Sequence, residues 1–190
     1  GKIGFDPWLY SRDQIEQLKN GLKGSGVMLV ASPNMVDLIW PDQPPAPLGR
    51  IVPYPEELAG KTHGEKRREL AKVLTDAGQS GAVLTLPDSI AWLLNIRGSD
   101  IPKNPVPHAF AILHDNAHLT LYVAAEKVDD NLRKHLGKDV LVRPVAAFVP
   151  SLHSLSGPVR VDRSSAPLSV VQALEEANVP FVWGDDLCVL

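Results

Sequence analysis

The sequence has one cysteine, few aromatic residues and no excess of basic residues. Because Cys188 is the only cysteine among 190 residues, an internal disulfide is excluded. Lysine and arginine together number 19, and aspartate and glutamate 22, so the formal net charge of -3 offers no basic surface for nucleic acid. The sequence shows neither a signal peptide nor an apolar run of membrane-spanning length. It therefore predicts a cytoplasmic protein that binds neither nucleic acid nor a membrane.

The usual sequence signatures of catalysis are also missing. The six histidines are scattered, none belongs to an H-E-x-x-H motif, and no cysteine and histidine cluster has zinc-site spacing. There is no G-x-S-x-G, phosphate-loop or G-x-G-x-x-G motif. Cys188 lies in an apolar segment with no histidine near it in sequence, which favours a small buried thiol over a nucleophile. We predict no catalytic residue and no metal ligand in this chain.

What the sequence does contain is an alternation of strand and helix patterns. Near the N-terminus, two short strand patterns flank a helix pattern whose first turn is capped by Ser11. A second unit begins at Thr62, which forms a capping-box pattern with Glu65. A β-hairpin is predicted over 108–123 and one amphipathic helix over 125–137. This order predicts an α/β fold with a mixed sheet flanked by helices.

One segment, DSIAWLLNIRGSDIPKNPVPHAFAIL, places charged residues and prolines between two apolar runs. An ordinary connection needs only a few turn residues, whereas this one carries both signs of charge. In a structural interpretation, Arg97 and Asp100 form an internal ion pair or cap free carbonyls, and Gly98 adopts a positive φ. Trp92 by itself is more typical of a packed core residue than of a binding surface.

The same segment carries a resemblance to a known family. With FDPWLYS, NMVDLIWPDQPPAP and YPEELAGKTHGEK, it resembles corresponding blocks of three-domain cytosolic Xaa-Pro aminopeptidases (aminopeptidase P) of the creatinase/prolidase metallopeptidase superfamily. The blocks are in the same order and cover much of 1–113. The resemblance implies creatinase N-terminal-domain-like folds, with the C-terminal part of a first copy at 1–60 and one complete copy at 61–190. An incomplete first copy should leave apolar surface uncovered.

The resemblance also implies a function for the complete enzyme. Such a hydrolase removes the N-terminal residue from peptides with proline at the second position, and two divalent metal ions, commonly manganese, are bound by its catalytic domain. That domain would follow this chain, so we interpret the sequence as a fragment that contains no metal ligands and is inactive by itself. Its expected partners are its own catalytic domain, the proline-containing peptide and a second subunit of a homo-oligomer.

Two hypotheses of different classes therefore remain open. In the first, the chain is the non-catalytic N-terminal region of a Xaa-Pro aminopeptidase, where it shapes the substrate cleft and supports dimerisation. In the second, it is a free-standing creatinase-like module that binds a small molecule or a peptide without catalysis.

The resemblance gives the polar segment a second interpretation, in which the segment faces the catalytic cleft. Trp92 would then be a wall or anchor of the pocket, and Arg97 a fixed donor toward carbonyl or carboxylate groups of the substrate. The structural interpretation needs no ligand, and the sequence does not decide between the two. The substrate-cleft candidates are Trp92, Asn95, Arg97, Asp100 and Asn104.

Overall fold

Strands and helices alternate along residues 1–189, which are the residues that the computed structural model describes. The strands are β1 (Lys2–Phe5), β2 (Met28–Ala31), β3 (Val52–Pro53), β4 (Gly81–Leu84), β5 (Ile96–Arg97), β6 (Phe110–His114), β7 (Leu119–Tyr122), β8 (Val140–Arg143), β9 (Val159–Val161) and β10 (Phe181–Trp183). The helices are α1 (Arg12–Gly21), α2 (Met35–Ile39), α3 (Glu56–Ala59), α4 (His63–Asp76), α5 (Pro87–Leu94), α6 (Asp130–Leu136), α7 (Phe148–His153) and α8 (Leu168–Glu176). Short 3-10 turns lie at Ala125–Lys127, Val145–Ala147 and Leu187–Val189.

The larger of two structural units is built around a mixed sheet of six strands, in the order β10, β9, β4, β6, β7, β8. The hairpin of β6 and β7 is antiparallel, and β6 is also antiparallel to β4. The outer pairs are parallel: β9 lies parallel to β4 and β10, and β8 lies parallel to β7. This sheet with its flanking helices confirms the predicted α/β fold and the predicted hairpin.

Each face of the sheet is packed against helices. Along β4, Ala82 and Leu84 belong to one buried cluster, which includes side chains of α4, α5 and α6. The residue between them, Val83, belongs to a second cluster with α7 and α8 on the opposite face. Alternate strand residues point to opposite faces, so a central strand covered on both sides needs apolar residues at every position. This explains the continuous apolar run at the start of GAVLTL.

Helix ends follow the local signals of the sequence. Ser11 and Thr62 each form a complete capping box, with Gln14 and Glu65 respectively. The predicted start of one helix was wrong. The helix predicted over 125–137 begins only at Asp130, because the Asp129 side chain accepts a hydrogen bond from the N–H of Leu132 at 2.8 Å and caps the helix there.

The N-terminal segment forms a separate two-stranded parallel sheet from β1 and β2, connected by α1. It contacts the larger unit through ion pairs from Arg163 to Asp13 and Glu16, and through a hydrogen bond from Leu168 N–H to the Tyr10 carbonyl at 2.8 Å. Several of its large apolar side chains are 41–75% exposed: Ile3, Met28, Val30, Met35, Val36, Leu38, Ile39 and Trp40.

The connection between the two units runs through residues 49–54. Ile51 is fully buried in the first core cluster, and β3 pairs with β5 of the larger unit. These residues therefore lie against the larger sheet although they precede residue 60. The predicted division into 1–60 and 61–190 remains a prediction.

Candidate functional site

The polar segment begins where α5 ends. Pro87 stands at the start of this helix, where its missing N–H costs nothing. Asn95 ends the helix in the left-handed region with a φ of 50°, a conformation that asparagine tolerates better than most residues. The chain then leaves as β5 and pairs with β3, with Ile96 opposite Pro53. The turn at Asn95 therefore sets the direction in which the chain enters β5.

Trp92 lies on the outer side of α5. Its neighbours Leu93 and Leu94 are fully buried, whereas Trp92 is 43% exposed. The expectation that Trp92 packs in the core was therefore wrong, because the helical period turns this position away from the sheet. The ammonium group of Lys66 lies 4.3 Å from the centre of the indole ring, in cation–π geometry. Trp92 is thus a partly exposed aromatic surface backed by a cation.

Lys66 and Asn95 form a buried polar pair beneath this surface. The Lys66 ammonium donates to the Asn95 Oδ1 at 2.7 Å and to the Trp92 carbonyl at 2.9 Å. The Asn95 Nδ2 donates to the Lys61 carbonyl at 2.8 Å. Burial lowers the pKa of Lys66, and the nearby charge of Arg97 lowers it further. Both ends of the Asn95 amide are therefore used inside the protein.

Asp100 is held inside the protein by three hydrogen bonds. Its carboxylate accepts from the Lys127 ammonium at 2.5 Å, from His108 N–H at 2.6 Å and from Gly49 N–H at 2.9 Å. The two charged side chains are at most 4% exposed. Burial acts to raise the pKa of Asp100, but these hydrogen bonds outweigh it and the pKa lies below its ordinary value. The hypothesis of an ion pair with Arg97 was wrong, because Lys127 occupies that role.

The guanidinium group of Arg97 lies over the ring of Tyr54. Its guanidinium carbon is 3.8 Å from the centre of the tyrosine ring, and one N–H donates to the Ile96 carbonyl at 2.8 Å. Among residues 1–189, no carboxylate lies within ion-pair distance of Arg97. A guanidinium group has five N–H donors in a fixed plane, so most of them remain available. Stacking fixes the direction in which these donors point.

The loop that follows is shaped by a close backbone approach. Gly98 N–H donates to the Pro105 carbonyl at 3.0 Å, and a Cβ atom at residue 98 would collide with the backbone of Pro107. The positive φ expected at Gly98 was wrong; it occurs instead at Lys103, with a φ of 64°. Asn104 N–H donates to the Ile101 carbonyl at 3.2 Å, and the Asn104 side chain is exposed. Glycine is needed at 98 for space, not for conformation.

The five candidate residues thus fall into two groups. Trp92, Arg97 and Asn104 present side chains at the surface, whereas the polar side-chain atoms of Asn95 and Asp100 form internal hydrogen bonds.

Sequence reasoning missed three residues that hold the segment in place. They are Tyr54, which contacts Arg97, Lys66, which contacts Trp92 and Asn95, and Lys127, which contacts Asp100. Each lies 26 to 43 positions from its partners in the sequence, so no local pattern marks it.

A pair of histidines lies beside this segment. The rings of His63 and His135 are 5.0 Å apart, and together with Tyr54 and Asn95 they border a cavity of about 380 Å³. The His63 Nε2 bonds to the His135 carbonyl at 3.0 Å. Burial lowers the pKa of His63 to about 4, and the charge of Arg67 contributes to this shift. His63 is therefore neutral at pH 7.

The described residues contain no group of three or more histidine, cysteine, aspartate or glutamate side chains placed to hold one metal ion. No helix among residues 1–189 is long and apolar enough to cross a membrane. Cys188 packs against the first core cluster, and burial raises the pKa of its thiol, so it is protonated at pH 7. This agrees with the predicted small, unreactive thiol.

Sequence comparison places the chain among known proteins. Residues 42–189 match the family described as Creatinase/Prolidase N-terminal domain. A protein of Coccidioides posadasii (strain C735) named "Probable Xaa-Pro aminopeptidase P" is 40% identical over 157 residues, which are 81% of this chain and 24% of that protein. A protein of Aspergillus flavus with the same name is 39% identical over 156 residues, with the same coverage. The chain thus spans about a quarter of the length of the curated relatives it matches.

Structural comparison extends the likeness over nearly the whole chain. The crystal structure of X-prolyl aminopeptidase from Caenorhabditis elegans, described as a cytosolic enzyme with a di-nuclear active site, superimposes with a TM-score of 0.85. The sequence identity is 28%, and the match covers 99% of this chain and 32% of that enzyme. Both the small sheet and the larger unit are therefore included in the similarity.

We expect Asp100→Asn to destabilise the protein by about 3–5 kcal/mol, because it leaves the buried Lys127 without its negative partner. Urea unfolding followed by circular dichroism measures this loss. The matched control is Asp76→Asn, which breaks an exposed pair with Lys72 and should cost at most about 1 kcal/mol. Adding Lys127→Met to Asp100→Asn should restore much of the stability. Equal losses in the two aspartate variants would contradict the assigned role of the buried pair.

The His63 environment predicts a pH dependence of stability. Folding lowers the pKa of His63 from its ordinary 6.5 to about 4 through burial and through Arg67 and His135, against which Asp139 acts. Its contribution is therefore fully present above pH 6.5 and is lost as the pH falls toward 4. Replacing His63 with glutamine should make the melting temperature less dependent on pH across this range. The pH-dependent part of the free energy of unfolding should shrink by about 1 kcal/mol, after allowance for the partial exposure of His63.

The control for this titration is His153→Gln, which changes an exposed histidine. It should leave the slope of melting temperature against pH as in the unmodified protein. If His63→Gln has the same slope as His153→Gln between pH 6.5 and 4, the assignment of the titration to His63 is wrong.

Proposed function

Because this chain belongs to the creatinase/prolidase N-terminal domain family, we propose that it is the non-catalytic N-terminal region of a Xaa-Pro aminopeptidase. The parent enzyme is a hydrolase that releases the N-terminal residue from peptides with proline in the second position. Two findings support this assignment: relatives that carry this enzyme name align over 81% of the chain, and an X-prolyl aminopeptidase matches 99% of it in three dimensions. In this proposal, 1–60 is the end of a first creatinase-like domain and 61–190 is the second.

The polar segment shapes the substrate cleft in this proposal. The observation that carries this role is the Arg97 guanidinium, which is stacked on Tyr54 and has no carboxylate partner among the described residues. A fixed donor array of this kind orients a carbonyl or carboxylate group of a short peptide. Trp92 supplies a flat apolar wall with 43% of its surface exposed, and Asn104 an additional polar rim.

Asn95 and Asp100 contribute to the cleft by positioning other residues. Asn95 determines where Trp92 and Arg97 point, because it ends α5 and joins Lys61 to Lys66. Asp100 fixes the loop after Arg97 to the backbone at Gly49 and His108. Neither residue needs to contact the substrate to affect its position.

The remaining parts of the proposal concern the parent enzyme. Its catalytic domain holds two divalent metal ions, with manganese as the proposed metal, and all of their ligands belong to that domain in this proposal. The enzyme is a cytoplasmic homodimer, and the N-terminal region supports dimerisation. The C. elegans enzyme, described as cytosolic and di-nuclear, supports the compartment and the number of metal ions.

The coding sequence beyond Leu190 tests the assignment. We expect an open reading frame for a catalytic domain with two aspartates, one histidine and two glutamates as metal ligands. The complete product should release the first residue from Xaa-Pro-Yaa peptides in the presence of manganese, whereas residues 1–190 alone should not. A stop codon directly after Leu190, or a complete product without this activity, would contradict the proposal.

In the parent enzyme, we expect Arg97→Ala to lower kcat/KM for short Xaa-Pro peptides by roughly ten- to a hundredfold. A charge-assisted hydrogen bond contributes about 1.5–3 kcal/mol, and its loss at the cleft appears in the rate. Metal content and melting temperature should be nearly unchanged, because Arg97 holds no buried charge in place. Steady-state kinetics, metal analysis and thermal unfolding measure the three quantities.

The matched control is Arg68→Ala, which removes an exposed arginine of α4 outside the polar segment. It should leave kcat/KM within about twofold, since it removes no proposed substrate contact. Unchanged kinetics for Arg97→Ala beside a lowered melting temperature would refute the cleft role and leave a structural one.

A further inference from the structure

A second concave surface lies on the face of the sheet that α7 and α8 cover only in part. It is a groove of about 440 Å³ across β6, β7 and β8, bordered on one side by Ser151 of α7. The groove contains no residue of the proposed cleft set, so its chemistry is separate from that of Arg97. It is also independent of the aminopeptidase assignment.

The strand register places polar and apolar side chains on the same face here. Thr120 pairs with Leu141 across β7 and β8, and Tyr122 pairs with Arg143 two positions on. His114 lies at the end of β6 on this face, two residues after Ile112. All of these residues line the groove. The sheet thus presents a guanidinium, an imidazole and two hydroxyls around an apolar floor.

These polar side chains have no partner within residues 1–189. His114, Thr120, Tyr122 and Arg143 take part in no side-chain hydrogen bond and no ion pair there, and no carboxylate lines the groove. Tyr122 is only 2% exposed, so its hydroxyl can reach few partners other than the contents of the groove. Burial lowers the pKa of His114, which leaves Arg143 as the charged group at pH 7.

The side chains that line the groove limit its ligand to one chemical class. A guanidinium flanked by hydroxyl groups suits a carboxylate, which accepts several hydrogen bonds at once. Leu141 is 50% exposed and Ile112 forms the floor, so an apolar group next to the carboxylate would bury surface that water now covers. We propose that this groove binds a carboxylate that carries an apolar chain, the chemistry of an acylated apolar amino acid.

The test is a titration of the isotopically labelled 190-residue chain with N-acetyl-leucine, followed by its amide NMR signals. Saturable shifts should appear at Thr120, Leu141 and Arg143. Arg143→Gln should weaken binding about tenfold or more, because a charge-assisted hydrogen bond is lost. The matched control is Arg133→Gln, an exposed arginine on α6, which should bind as the unmodified chain does.

Two further probes define the ligand class. N-acetyl-leucinamide lacks the carboxylate and should bind about tenfold or more weakly, and inorganic phosphate lacks the apolar chain and should bind several-fold more weakly. The proposal is overturned if N-acetyl-leucine causes no saturable shifts at the groove, or if Arg143→Gln binds as tightly as Arg133→Gln. It is also overturned if the amide or the phosphate binds as tightly as N-acetyl-leucine.

Discussion

The buried ion pair between Asp100 and Lys127 determines the shape of the polar segment. One carboxylate gathers the side chain of Lys127 and the backbone N–H groups of Gly49 and His108, which come from three distant parts of the chain. Glycine at 49 permits this approach, because a Cβ there would lie 2.9 Å from the Asp100 Oδ1. A buried charge without its partner is costly, so arrangements of the loop that separate Asp100 from Lys127 are disfavoured.

This arrangement separates the residues that hold the segment from those that it presents. With Asp100 paired to Lys127, Arg97 has no internal carboxylate among the described residues and rests instead on the face of Tyr54. The same separation occurs at the end of α5, where the Asn95 amide forms internal hydrogen bonds while Trp92 remains at the surface. A ligand-facing rim requires groups that are fixed in position but still free to contact a ligand, and Arg97 and Trp92 meet this requirement.

Much of the fold could be predicted from the sequence because its signals are local. The capping boxes at Ser11 and Thr62 lie within four residues, and the alternation of strands and helices follows from hydrophobic period. The site was harder, because its contacts are not local. Nothing near Asp100 in sequence distinguishes Lys127 from Arg97 as its partner, and the structural interpretation considered only the nearer cation. Which side of α5 Trp92 occupies depends on tertiary packing as well.

We propose that Arg97 faces the substrate of a parent Xaa-Pro aminopeptidase. The most direct measurement is a crystal structure of that enzyme with an uncleaved Xaa-Pro peptide bound in its active site. We expect a guanidinium N–H of Arg97 at hydrogen-bond distance, about 2.7–3.2 Å, from a carbonyl or carboxylate oxygen of the peptide, with the stacking on Tyr54 retained. A bound peptide that leaves Arg97 without contact, or an Arg97 that pairs with a carboxylate of the catalytic domain, would contradict the claim.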